Sequence, residues 1–152
     1  MTTEIRKKAL KQHLQNKIHL TDIELINKED HRFKIVTDST EYLVLTDKEA
    51  DKLCKESILN SLWAFNKDFI IEHSSILDSD ETSKKLVGCI QAQYDDSNDV
   101  LLKLIDDIDV FIEDAIKEDS REHFICTYDG VENKETITYK DGYQTLFIYR
   151  TN

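Results

Sequence analysis

The spacing of apolar residues changes period three times along this chain, and that change constrains the fold more than any other feature. Between residues 23 and 46, Ile23, Leu25, Phe33 and Ile35 alternate with polar residues, and EYLVLT at 41–46 is β-branched and aromatic. Both are strand patterns. Polar turn residues at Asn27 to Asp30 and Asp38 to Thr40 separate the runs, so a three-stranded antiparallel meander is predicted. Further on, Leu101, Leu104, Ile105, Ile108, Phe111, Ile112, Ala115 and Ile116 recur at helical spacing, which predicts one long amphipathic helix from about Ser97 to Lys117. Period two then returns in TITY at 136–139 and TLFIYR at 145–150, around a Lys140-Asp141-Gly142 turn. Asp-Gly between alternating runs signals a β-hairpin. The fold class is therefore α+β, in a single domain over residues 1–152, with β elements near both ends and helices between.

The remaining helices follow from the same periodicity. Ile5, Leu10, Leu14 and Ile18 mark one face of a basic amphipathic helix over residues 3–18, which also carries Arg6, Lys7, Lys8, Lys11 and Lys17. Thr46 and Glu49 have capping-box spacing and start a helix through Ala50, Leu53, Ile58, Leu62 and Phe65. Asn66 caps a short helix bearing Phe69, Ile70 and Ile71, and after the polar SSILDSDETS another helix runs from about Glu81 to Ala92.

Composition removes whole classes of function. At 152 residues the chain buries about two thirds of its unfolded surface, so neither disulfides nor a structural metal is needed to hold a core. Gly88, Gly130 and Gly142 are the only glycines and lie far apart, which leaves no glycine-rich phosphate cradle. A net charge of −11 opposes direct nucleic-acid binding, where Lys and Arg must neutralise phosphates. The charged N-terminus MTTEIRKKAL lacks a signal-peptide core, and no apolar run is long enough to span a membrane. Cys54, Cys89 and Cys126 are solitary and odd in number, as expected of a reducing cytoplasm.

The charge is local. Residues 94–119 hold ten acids and two bases, −8 of the −11. On a continuous helix, Asp95, Asp99, Asp106, Asp109 and Glu113 form one row beside the apolar stripe. Asp96, Asp107 and Asp114 form another, and Val110 faces outward between them. Successive acids on such a rod step about 4.5 to 6 Å, comparable to phosphate spacing on a nucleic-acid strand. Asp95, Asp99, Asp106, Asp109, Val110, Glu113 and Asp114 are therefore the candidate partner-binding residues, fitted to a basic groove. The competing reading is a solvated outer face, with Lys103–Asp107 and Glu113–Lys117 as ordinary i,i+4 pairs.

Other chemistry is thin. His123, Cys126 and Asp129 are the one candidate catalytic group, but a strand through this segment would put His123 and Cys126 on opposite faces and make Cys126 a small buried hydrophobe. The five histidines and three cysteines show no zinc-ligand spacing. Asp95-Asp96-x-x-Asp99 and Asp106-Asp107-x-Asp109 lack the glycine and terminal Glu of a calcium loop, so no metal or cofactor is expected. Trp63 and Phe65 read as core, and Tyr139, Tyr143, Phe147 and Tyr149 as cross-strand packing.

EYLVLTDKEAD at 41–51, SLWAFNKDFIIEHS at 61–74, REHFICTYDG at 121–130 and FIYRTN at 147–152 resemble segments of small acidic accessory proteins encoded by bacteriophages and prophages. The resemblance carries over no catalytic residue. It implies a short phage-borne accessory protein acting in the bacterial cytoplasm, and together with the acidic face at 95–119 the expectation is a non-enzymatic inhibitor of a basic, nucleic-acid-handling host protein such as a CRISPR effector or other nuclease. Two alternatives stand beside it: a phage structural or assembly protein, homodimeric in one form, and a small enzyme using His123, Cys126 and Asp129.

Overall fold

The computed structural model describes residues 1–126, 128–139 and 142–152. Thr127, Lys140 and Asp141 lie outside the described residues, and with them two of the three positions of the expected hairpin turn. Among the described residues the chain forms, in order, α1 (Thr3–His13), β1 (Ile23–Asn27), β2 (Arg32–Ile35), β3 (Glu41–Leu45), α2 (Asp47–Asn60), α3 (Lys67–Glu72), α4 (Glu81–Gln91), α5 (Asn98–Leu104), α6 (Ile108–Asp119), α7 (Arg121–Ile125), β4 (Asn133–Tyr139) and β5 (Gly142–Arg150). The class is α+β, and the strand layout differs from the expected one. All five strands form one antiparallel sheet in the order β1-β2-β3-β5-β4. β3 and β5 pair from Tyr42↔Arg150 to Leu45↔Phe147. The physical reason lies in their composition: Tyr42–Leu45 and Leu146–Tyr149 are buried without interruption, the signature of central strands covered on both faces.

Contacts cluster into two compact units, residues 1–54 with 121–152, and residues 55–120. The first holds the sheet. Its core sets Ala9 and Leu10 of α1 against Ile23, Phe33, Ile35, Val44, Leu146 and Ile148. Thr2 caps α1 by accepting from the Ile5 N–H at 3.4 Å. The helix ends short of the expected Ile18 because Gln15 and Asn16 take positive φ, 54° and 58°. Arg6 belongs to the core rather than to the solvent face. It is 2% exposed, its guanidinium donates to the Val44 carbonyl, and it forks onto Glu49 at 2.8 and 3.0 Å. The Thr46–Glu49 capping box forms reciprocally: the Thr46 N–H donates to Glu49 Oε2 at 2.7 Å, and the Glu49 N–H donates to Thr46 Oγ1 at 3.4 Å.

The second unit is helical. Asn66 caps α3 and Asp80 caps α4 through their side chains. The expected long acidic helix is two helices, α5 and α6, with Ile105 in extended conformation between them. The carboxylates of Asp106 and Asp107 cause the break. Asp106 accepts from the Ser75 N–H and hydroxyl at 2.7 and 2.9 Å while its own N–H donates to the His73 carbonyl at 2.9 Å. Asp107 accepts from the Asp109 and Val110 N–H groups at 3.0 and 3.2 Å and so restarts the helix as its N-cap. α6 ends at Ser120, whose φ of 64° and ψ of 161° suit glycine far better than serine. Among the described residues no helix is long and apolar enough to cross a membrane.

Candidate functional site

The break between α5 and α6 removes the continuous rod, so the acids must be placed one by one. Three of the predicted partner-binding residues work within the fold. Asp106 fastens the Ser75 loop, Asp109 accepts from Lys55 Nζ at 2.5 Å, and Asp114 accepts from Lys117 Nζ at 2.6 Å and lies 3.3 Å from His73 Nε2. Lys117 first, and His73 after it, hold the Asp114 carboxyl below its ordinary value. The Asp109 and Lys117 pairs are solvent-exposed, where such contacts are worth little. Glu113 and Val110 remain exposed on α6, Val110 at 47%.

Asp95 and Asp99, with Asp96, are different. All three are exposed, and among the described residues none has a side-chain hydrogen bond or ion pair. Together with Asn60 and Asn98 they line an open groove of about 420 Å³. A rigid frame holds it. Asn98 Oδ1 accepts from the Trp63 N–H at 3.1 Å and Asn98 Nδ2 donates to the Asn60 carbonyl at 2.7 Å, tying the start of α5 to the end of α2. Ser97, 1% exposed, donates to the Tyr94 carbonyl at 2.6 Å. Tyr94 takes φ 51° and sets its ring edge-on to Trp63 at 5.3 Å. Asp95 and Asp96 project from this turn and Asp99 from the first turn of α5, and neighbouring charges of one sign create a local negative potential. Wheel geometry placed Asp96 in a different row from Asp95 and Asp99. The α-helix does not extend over Tyr94–Ser97, which is a 3-10 turn, and all three carboxylates line one groove.

The segment expected as a strand at 121–126 is the helix α7 and the residue that follows it. Arg121, Glu122 and Phe124–Ile125 satisfy a short helical turn, and the Cys126 N–H continues it by donating to the Glu122 carbonyl at 2.8 Å. Cys126 is 5% exposed, with Sγ 2.8 Å from the Arg150 carbonyl and 3.1 Å from Asp129 Oδ1. His123 is exposed and packs edge-on to Phe124. Cys126 and Asp129 are brought together, and among the described residues His123 joins neither.

Sequence reasoning missed the arginines of the first unit. Arg121 grips Glu132 at 2.9 Å, Asp47 at 2.9 Å and Asp51 at 2.6 Å, and stacks over Phe147 at 4.5 Å. Tyr149 completes the cluster by donating to Glu132 at 2.5 Å. Burial and that carboxylate push the Tyr149 hydroxyl far above its ordinary value. At Glu49, burial acts to raise the carboxyl, but Arg6 and Thr46 outweigh it and hold the group at about 2. Burial pushes the Cys54 thiol up to about 11, which keeps it an inert core group. The usable signal was scarcity: the chain has four arginines, and all of them fall in the sheet unit.

Among the described residues no cluster of three or more His, Cys, Asp or Glu side chains is arranged to hold a metal ion. Compared with family models, curated proteins and solved structures, the chain matches none.

Proposed function

We propose that this protein is a non-enzymatic binding protein whose helical unit presents an acidic surface to a basic, nucleic-acid-handling partner, and that in a phage setting it inhibits a host CRISPR effector or other nuclease. One observation carries the reading: residues 55–120 hold sixteen acids against six bases, −10 of the −11, and Asp95, Asp96 and Asp99 stand around one groove without internal partners among the described residues. Selection for stability alone intersperses lysines among close carboxylates, because like charges repel. Asp95, Asp96 and Asp99 supply the main charge, with Glu113 and Val110 as further contacts on α6. Asp106, Asp109 and Asp114 contribute field while holding the fold.

The test is affinity capture from bacterial cells, with bound proteins identified by mass spectrometry before and after a high-salt wash. The reading expects basic nucleic-acid-handling proteins that are lost at high salt, since exposed electrostatic contacts are screened. Capture of acidic or neutral proteins that survive the wash would overturn it. A second reading, a homodimer or particle contact, draws on exposed Leu86, Val100 and Leu102 of the helical unit. Light scattering separates the two, because an apolar dimer persists at high salt.

A further inference from the structure

Asp96 lies between two unlike depressions. On one side is the acidic groove with Asp95 and Asp99. On the other is a slot of about 290 Å³ between α4 and α5, lined by Cys89, Ile90, Gln93, Asp96, Ser97 and Val100. Apart from Asp96 the slot has no charged lining. Val100 is 47% exposed at its edge, and Leu86, 49% exposed, precedes Ile90 by one turn of α4. Small-molecule sites run from about 300 to 1,000 Å³, so the slot suits one inserted side chain better than a cofactor.

The juxtaposition restricts the occupant. A purely cationic surface would leave the apolar slot wet. A purely apolar one would strip water from Asp96 without replacing its hydrogen bonds, which is unfavourable. An acidic segment would be repelled by three unpaired carboxylates. We propose that this slot and groove together receive a basic amphipathic helix of the partner, its apolar side chain entering between Ile90 and Val100 and a lysine or arginine one turn away reaching Asp95 and Asp99. Residues three or four apart lie on the same face of a helix, about 5–6 Å apart, so one face can present an apolar and a basic side chain to the two depressions that share Asp96. This is the helix-in-groove mode with a charged rim. The inference rests on the acidic-surface reading and adds to it an apolar anchor and a form for the partner segment.

The probe is a synthetic helical peptide of lysine and leucine at amphipathic spacing, titrated against the whole protein by fluorescence anisotropy, beside the same peptide with serine for leucine. Wild type is expected to bind the leucine peptide at least tenfold more tightly than the serine peptide. Val100→Ser should erase that difference, and the triple variant Asp95→Asn, Asp96→Asn, Asp99→Asn should weaken both peptides. Cys89 is an internal reporter, since it lines the slot while Cys54 and Cys126 are buried: the leucine peptide should slow its alkylation by a maleimide severalfold. Equal binding of the two peptides with unprotected Cys89 would overturn the anchor, and the acidic reading would survive if the triple variant still weakened both. If the triple variant changed neither, the anchor and the acidic reading would fall together. All four substituted side chains are exposed, and circular dichroism is the check that the variants fold.

Discussion

The sheet unit and the helical unit solve the problem of charge in opposite ways. The first carries fifteen acids and fourteen bases and includes every arginine of the chain; the second carries sixteen acids, six lysines and no arginine. In the sheet unit, partly buried carboxylates are caught by branching guanidinium groups, both Glu49 oxygens by Arg6 Nη2 and one Glu132 oxygen by Arg121 Nε, and such charge-assisted hydrogen bonds give both strength and direction. In the helical unit the pairs are lysine contacts at exposed positions, Lys55–Asp109, Lys84–Asp68 and Lys117–Asp114. The difference teaches that the net charge of this protein is local, −10 of the −11 lying in the helical unit. The first half ties partly buried acids to arginine, whereas the second uses Asp80, Asp106 and Asp107 as caps and loop fastenings and keeps Asp95, Asp96 and Asp99 exposed.

Removing such an arginine should therefore cost far more than removing a lysine pair. Arg121→Ala takes the guanidinium away from Glu132, 15% exposed, and leaves it the Tyr149 hydroxyl and a distant Lys134, so it is expected to lower stability by about 3 kcal/mol in urea denaturation. Lys55→Ala, which breaks only an exposed pair, should stay within about 0.5 kcal/mol. Comparable losses at the two sites would erase the contrast.

Acid should act first on the sheet unit. Glu49 sits at about 2 when folded against an ordinary 4.5, so the unfolded chain takes up the proton first. Its contribution is full above pH 4.5 and is lost as pH falls toward 2, about 1–2 kcal/mol after allowance for partial exposure. Denaturation followed across that window should show this loss, and Glu49→Gln should flatten that part of the curve.

The expected helix over 97–117 shows what the sequence conveyed and what it hid. Leu101, Leu104, Ile105 and Ile108 keep helical spacing straight through the break, so periodicity alone cannot detect it. Two adjacent aspartates make the break, one capping a distant loop at Ser75 and one capping α6, and only the second contact is local in sequence. Local signals were read well: Thr46 with Glu49, Asn66, and the strand runs at 23–46. The β3–β5 pairing joins residues about a hundred positions apart, for which the uninterrupted apolar runs gave the only hint. At the candidate site, the positions of the acids were legible but their phase was not, because the rows were drawn on a helix that stops at Leu104.

Two smaller effects sharpen the account of that break and of the end of α6. Asp107→Ala removes the α6 cap and should cost about 1 kcal/mol. Ser120→Gly relieves an unfavourable backbone conformation and should raise stability by up to about 1 kcal/mol. Thermal melts of the two variants should move in opposite directions.

The central claim is that the exposed acids of the helical unit are a partner surface while those of the sheet unit are not. Matched charge reversal tests it directly. Asp95→Lys with Asp96→Lys and Asp99→Lys changes the net charge as much as Glu4→Lys with Glu24→Lys and Glu29→Lys, and all six residues are exposed. Measured as binding of the captured basic partner, with circular dichroism unchanged in both, the first variant is predicted to lose binding at least a hundredfold and the second to change little. Equal losses would reduce the effect to overall charge, and an unaffected first variant would contradict the account.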